Sequence, residues 1–113
     1  MLVRLDDVPE IAEPSNDLVM RHLVDAARGE GNLSVTWVRL AGRHRRLRTV
    51  RSTRLYYVVE GDGWFALGGE PDVAIHAGDV VVVPRATAYA LGGELTYLVV
   101  NGPALAPGDD IYD

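Results

Sequence analysis

The 113-residue chain has no cysteine, no lysine, one phenylalanine and three histidines. Without cysteine there is no disulfide framework, no thiolate nucleophile and no sulfur ligand, so any metal would rest on nitrogen and oxygen. No apolar run approaches the ~18 residues of a membrane helix. The opening MLVRLDDVPE does not follow the positive, apolar, small-residue order of a secretory signal. The expectation is a cytoplasmic protein that meets no membrane. No Ser-His-Asp order, phosphate-binding glycine loop, dinucleotide fingerprint or calcium loop is present.

What is there suits a folded chain. Hydrophobic residues make up 48% and charged residues 24%, enough apolar surface to bury a core in one domain spanning residues 1–113. All eleven basic residues are arginine, and six of them, Arg43, Arg45, Arg46, Arg48, Arg51 and Arg54, crowd one stretch, leaving the rest of the chain at −11 against a net charge of −5. Such a cluster invites a nucleic-acid reading, but a pI near 5.1 and the absence of aromatic residues within the run oppose it, so no nucleic-acid partner is expected. A solvated loop, or a patch pairing with the acidic arm of its own or a neighbouring subunit, is the ordinary alternative.

Residues 1–17, with Pro9, Pro14 and several acids, read as an extended arm, and residues 18–32 as strand, hairpin turn, strand. LSVTWVRLAG, RLYYVVEGDG, WFALGG, VAIHAGDVVVVP and LTYLVVNGP are short runs rich in Val, Tyr, Trp and Thr, bounded by Gly, Pro or Asp. They predict an all-β fold, a single antiparallel β-barrel with little or no helix. Gly61-Asp62-Gly63 and Gly68-Gly69 read as hairpin turns. Residues 102–113 read as a polar C-terminal tail.

Gly42, position 48, position 50, position 54 and Gly61 have the spacing of the first signature of the cupin superfamily, and Gly78, Pro84, Ala86, Tyr89 and Gly93 that of the second, with sixteen residues between the blocks. Over roughly residues 33–101 the chain resembles a small cupin, which implies a jelly-roll barrel. The resemblance places metal ligands at 48, 50, 54 and 89, where this chain has Arg48, Val50, Arg54 and Tyr89. Guanidinium has no lone pair to give and repels a cation, so no metal and no cofactor are expected at that place.

If the strand pairing runs unbroken, Arg48, Val50, Arg54 and Tyr56 share a face. Ligand-binding candidates are therefore Arg48, Arg54, Tyr56, Tyr89, Val50 and Trp37, with Tyr89 and Arg54 as catalytic candidates. Inward arginines need compensation. Either an internal salt bridge, with Glu60 or Asp79 as partner, answers them, or they grip an anionic ligand, or the register differs and one or both face solvent. Tyr89 is either a general acid, its pKa lowered by the arginines, or packing with a wet tip. Tyr56, Trp37, Trp64 and Phe65 are expected mostly in the core, with one or two on the cavity wall.

His22, His44 and His76 lie in separate segments, and His44 and His76 read as surface residues. A noncanonical metal site would need two of the three to meet a carboxylate such as Asp25 or Asp79. Three functions follow. The first is binding of a small anionic or oxygenated organic molecule, with metal-independent isomerisation, cyclisation or elimination where there is catalysis. The second is a noncatalytic ligand-binding or structural module, and the third a metal-dependent cupin with displaced ligands. A homodimer is the expected assembly.

Overall fold

The computed structural model describes residues 1–113 and contains eight strands: β1 (Ile11–Glu13), β2 (Leu18–Val24), β3 (Ser34–Thr49), β4 (Thr53–Leu67), β5 (Val73–His76), β6 (Val80–Val83), β7 (Tyr89–Gly102) and β8 (Asp110–Tyr112). Helix is confined to two single 3-10 turns, Leu5–Asp7 and Pro14–Asn16. Every strand pairing is antiparallel, so the all-β architecture expected from the short β-branched runs is the one observed.

The strands form one sheet of order β1-β2-β3-β7-β4-β5, with β6 added beside β4 and β8 beside β3. The two long strands β3 and β4 change partner halfway. β3 pairs with β2 up to Leu40 and with β8 from Leu47, while β4 pairs with β6 at Arg54–Tyr57 and with β5 at Asp62–Phe65. The sheet thereby folds over itself into two layers around a common interior.

The bend runs through a row of glycines. Gly42, Gly93 and Gly63 stand opposite one another on β3, β7 and β4. A Cβ on Gly93 would lie 2.5 Å from the Gly63 Cα, and one on Gly63 would lie 2.2 Å from the Gly92 carbonyl oxygen. The backbones approach more closely than any side chain allows, which is a reason for glycine in a strand. Gly61-Asp62-Gly63 is accordingly not a hairpin turn: β4 continues through it. Gly68, at φ +58°, does turn the chain at the end of β4.

The arm and the tail both carry strands. β1 pairs with β2, and β8 pairs with the end of β3. Between the layers, Leu40, Val58, Phe65, Leu91, Leu95 and Tyr97 are at most 2% exposed, and each such side chain contributes about 1.5–3 kcal/mol by leaving water.

One irregularity decides what faces inward. On β3, His44 pairs with Leu91 and Leu47 with Tyr89, so the three-residue step on β3 meets a two-residue step on β7. This bulge at Arg45–Arg46 shifts the parity of everything after it. Leu47 and Thr49 are buried, whereas Arg48 is 44% exposed in its side chain and Val50 is 39% exposed.

Candidate functional site

Between the layers lies a cavity of about 180 Å³. Its inner wall is Arg54 and Tyr56 on β4 with Tyr97, Val99 and Asn101 on β7. His44 on β3 and Asp110 and Tyr112 on β8 close one side, and Glu13, His22 and Thr36 stand towards the mouth.

Arg54 is 4% exposed, and its guanidinium is the centre of a polar network. Nε donates to Asn101 Oδ1 at 2.6 Å, Nη1 to the Tyr89 hydroxyl at 2.7 Å, and Nη2 to Asp110 Oδ1 at 2.9 Å. Asp110 Oδ1 also accepts from Thr49 Oγ1 at 2.8 Å, and Asn101 Nδ2 donates to Ser34 Oγ at 3.3 Å. Burial opposes the charge of Arg54, but the Tyr56 and Tyr89 oxygens and the Asp110 carboxylate outweigh it and raise the pKa. The expected internal salt bridge therefore exists, with Asp110 as partner rather than Glu60 or Asp79.

The Tyr56 and Tyr89 hydroxyls are 2.6 Å apart. Tyr89 is fully buried and already accepts from Arg54, and Tyr56 is the other polar group its hydroxyl reaches. If Tyr56 donated to Tyr89, the Tyr89 proton would be buried without an acceptor, a cost of about 1–3 kcal/mol. Tyr89 therefore donates to Tyr56, and the Tyr56 proton is free to point into the cavity. Burial pushes both phenols above their usual pKa, so neither is the lowered acid that arginine neighbours were expected to produce. Both stay protonated, and Tyr89 is joined to the cavity by its hydrogen bond to Tyr56 rather than lining it.

His44 is 7% exposed, not the surface residue expected from its arginine surroundings. Its Nδ1 lies 2.8 Å from the Arg45 carbonyl oxygen, which only accepts, so Nδ1 carries the proton and Nε2 holds the lone pair. Nε2 has no hydrogen-bond partner in the chain and is not sealed from solvent, so its lone pair is open to the cavity that His44 lines. Burial, the largest influence, lowers the imidazole pKa below 6.5 and outweighs the opposing pull of the Arg45 carbonyl. The site thus holds a neutral base, a protonated phenol and a guanidinium whose charge is already answered.

Of the residues singled out from the sequence, the fold brings Arg54, Tyr56 and Tyr89 together. Arg48 instead meets Asp113 at 3.7 Å on the outer surface, and Val50 lies beyond the cavity, both because the bulge reverses the parity assumed for them. Trp37 faces outward beneath the guanidinium groups of Arg21 and Arg39, at 5.3 and 5.7 Å. Trp64 likewise lies under Arg43 at 5.0 Å, while Tyr56 and Phe65 are core. The other clustered arginines fasten the termini: Arg45 stacks 4.1 Å from Tyr112, Arg46 reaches Asp113 at 3.4 Å, and Arg51 pairs with Asp109 at 2.8 Å.

Sequence reasoning missed His44, Asn101 and Asp110. The alternation Asp110-Ile111-Tyr112 was the available signal for a strand in the tail. For His44 the signal was its alternation with Val38 and Leu40 on the same strand, which its arginine neighbours masked.

A divalent cation does not fit the metal positions implied by the resemblance. The residues facing inward there are Leu47, Thr49, Arg54 and Tyr89, which offer a hydrocarbon, a committed hydroxyl donor, a cation and a buried phenol. No three His, Asp or Glu side chains converge elsewhere, so His22, His44 and His76 assemble no alternative centre.

No curated protein sequence matches the chain. Among solved structures, the Streptomyces protein Pac13, described as a nucleoside dehydratase, superposes with a TM-score of 0.85 at 23% identity, covering 100% of this chain and 90% of Pac13. KdgF from Halomonas superposes at 0.79 with 18% identity over 93% of this chain and 96% of its own. Ectoine synthase from P. lautus gives 0.81 with 16% identity over 100% and 89%. These likenesses are of fold. The family model described as cupin matches residues 18–109, most of the chain including β3, β4 and β7 of the site, and the chain belongs to that family.

Proposed function

We propose that the cavity binds a small oxygenated organic molecule and carries out a redox-neutral elimination or isomerisation without a metal. The carrying observation is the open Nε2 lone pair of His44, a neutral base lining the same half-open cavity of about 180 Å³ as Tyr56. A base this weak removes a carbon-bound proton only where an adjacent carbonyl acidifies it. The favoured substrate is therefore a β-hydroxy carbonyl compound, small enough to place its reacting end inside.

In that reading Nε2 takes the proton α to the carbonyl, and the Tyr56 hydroxyl donates to the carbonyl oxygen as charge develops there. The electron pair of the broken C–H bond becomes the new C=C bond as the C–O bond breaks. The departing hydroxide takes the proton back from the His44 imidazolium and leaves as water. Tyr89, itself held by Arg54, donates to the Tyr56 oxygen so that the Tyr56 proton faces the substrate. Pac13 supports this class, since the superposed structure is described as a dehydratase of nucleosides, and a nucleoside sugar is one form of a hydroxylated substrate.

Of anionic and neutral ligands, the cavity favours neutral ones. Two carboxylates, Glu13 and Asp110, border it against the single guanidinium of Arg54, which Asp110 already neutralises. The homodimer expected from the sequence belongs to the same proposal.

The test is a screen of β-hydroxy aldehydes and ketones, nucleoside-derived ones included, followed by proton NMR in D2O. Exchange at the α position and growth of olefin signals are expected. His44→Ala should lower the rate by about 10²–10⁴-fold while the circular dichroism of the fold is kept. Binding without exchange would convert the reading to a noncatalytic ligand module. Stabilisation by carboxylates alone, with none by neutral compounds, would overturn the substrate class.

A further inference from the structure

Two hydrogen-bond relays leave the Arg54 guanidinium. One runs through Tyr89 to Tyr56 and ends in the Tyr56 proton at the cavity. The other runs through Asn101 to Ser34, its cross-strand partner at the start of β3. Arg54 Nε only donates, so Asn101 turns its Oδ1 to it, at 2.6 Å, and its Nδ2 to Ser34 Oγ, at 3.3 Å. Ser34 Oγ also accepts from the Leu105 backbone N–H at 3.0 Å. Both of its lone pairs are then taken. The Ser34 proton finds no acceptor within the chain, although the residue is only 5% exposed and a buried hydroxyl ordinarily has one.

Ser34 lines a groove of about 440 Å³ outside the inner cavity. One wall is Val24, Asp25 and Ala26, at the end of β2 and in the turn after it, and the other is residues 105–108, ahead of β8. The second wall is fastened by the Leu105 bond to Ser34, by the Ala106 N–H donating to Asp109 at 2.9 Å, and by Arg51 donating to the Ala104 carbonyl oxygen at 3.1 Å. His22, Thr36, Leu105 and Asp110 line both spaces, so groove and cavity are continuous. Pockets for organic ligands usually hold about 300–1,000 Å³. The inner cavity, at about 180 Å³, falls short of that range, and the two spaces together fall within it.

We infer that the groove is a second compartment of the binding site and that Ser34 is its specificity-determining residue. The ligand then carries two acceptors, one met by the Tyr56 proton in the cavity and one met by the Ser34 proton in the groove. A neutral carbonyl group such as that of an amide fits the second position. A carboxylate or phosphate does not, because Asp25 and Asp110 border the groove and no arginine lines it. The inference rests on the proposed function for the inner end of the ligand and adds the outer end. The substrate class becomes a β-hydroxy carbonyl compound extended by a neutral, acceptor-bearing group.

Chemical-shift titration of ¹⁵N-labelled protein tests it with 4-hydroxybutan-2-one and with its acetamidomethyl and carboxymethyl derivatives, each substituted on the hydroxyl-bearing carbon. The acetamidomethyl compound is expected to bind about tenfold or more tighter than the parent ketone, and the carboxymethyl compound no tighter than the parent. The Leu105 amide signal, hydrogen-bonded to Ser34, should move with the acetamidomethyl compound and stay in place with the parent. The tenfold preference should fall towards one in Ser34→Ala, and also in Ala26→Trp, which fills the groove from an exposed position. A ratio of two affinities is not moved by a general weakening of the fold, and Ala26→Trp reports even if Ser34→Ala does not fold. Equal affinities in the wild-type chain overturn the inference, as do a preference that survives both substitutions and a preference for the carboxymethyl compound. Exchange of the α proton in D2O, followed in the same samples, tests the chemistry separately. Exchange without the preference defeats the groove alone, and the preference without exchange supports the groove and defeats the elimination.

Discussion

Arg54 and Asp110 depend on each other. The guanidinium is 4% exposed, and the Asp110 carboxylate that answers it comes from the far end of the chain. Asp110→Ala leaves a buried charge with only neutral acceptors, so urea denaturation should show a loss of about 3–5 kcal/mol. A loss within about 0.5 kcal/mol, typical of surface changes, would mean that Arg54 does not need it. His44 sets the pH behaviour. Its folded pKa lies below 6.5, so the folded state resists protonation more than the unfolded chain does. Its contribution to stability is complete above about pH 6.5 and is lost as pH falls through the folded value. The acid limb of the rate profile should fall in the same window, below 6.5, because Nε2 must be unprotonated to act. A limb centred above 6.5 would contradict this.

Elements show how far the sequence was legible. The β-branched runs foretold strands because a strand's preference is local, Arg54 and Tyr89 were found from the spacing of the two cupin signatures, and Tyr56 was found because no bulge separates it from Arg54 on β4. Arg48 and Val50 were misplaced because one extra residue on β3 reverses which side chains after it face inward, and nothing in RHRRLR announces it, whereas His44, ahead of that residue, keeps the inward parity of Val38 and Leu40 and was misplaced by its arginine neighbours. Gly63 was read as a turn because glycine serves turns and close strand crossings for the same reason, the missing Cβ. The two uses separate on substitution. Gly63→Ala would press its Cβ to 2.2 Å from the Gly92 carbonyl oxygen, in backbone that cannot swing aside. Thermal unfolding should show a loss of about 1–3 kcal/mol, as for overpacking, where an open turn would tolerate the change.

At the scale of the whole molecule, the arginine cluster divides into one buried group and several fasteners. Arg54 enters the interior, while Arg46, Arg48 and Arg51 tie down the acidic tail and Arg45 stacks on Tyr112. This placement brings Asp110 to the cavity and lets an acidic chain keep a cation inside. In the proposed function, a cupin barrel whose inward positions hold Leu47, Thr49, Arg54 and Tyr89 uses an imidazole and a phenol as its reactive groups. The most direct measurement of that claim is a long-range ¹H–¹⁵N correlation spectrum of the histidine side chains across a pH titration. His44 is expected to be neutral at pH 7, protonated on Nδ1 and unprotonated on Nε2, with a midpoint below 6.5. An imidazolium at pH 7, or a neutral ring carrying its proton on Nε2, would contradict it.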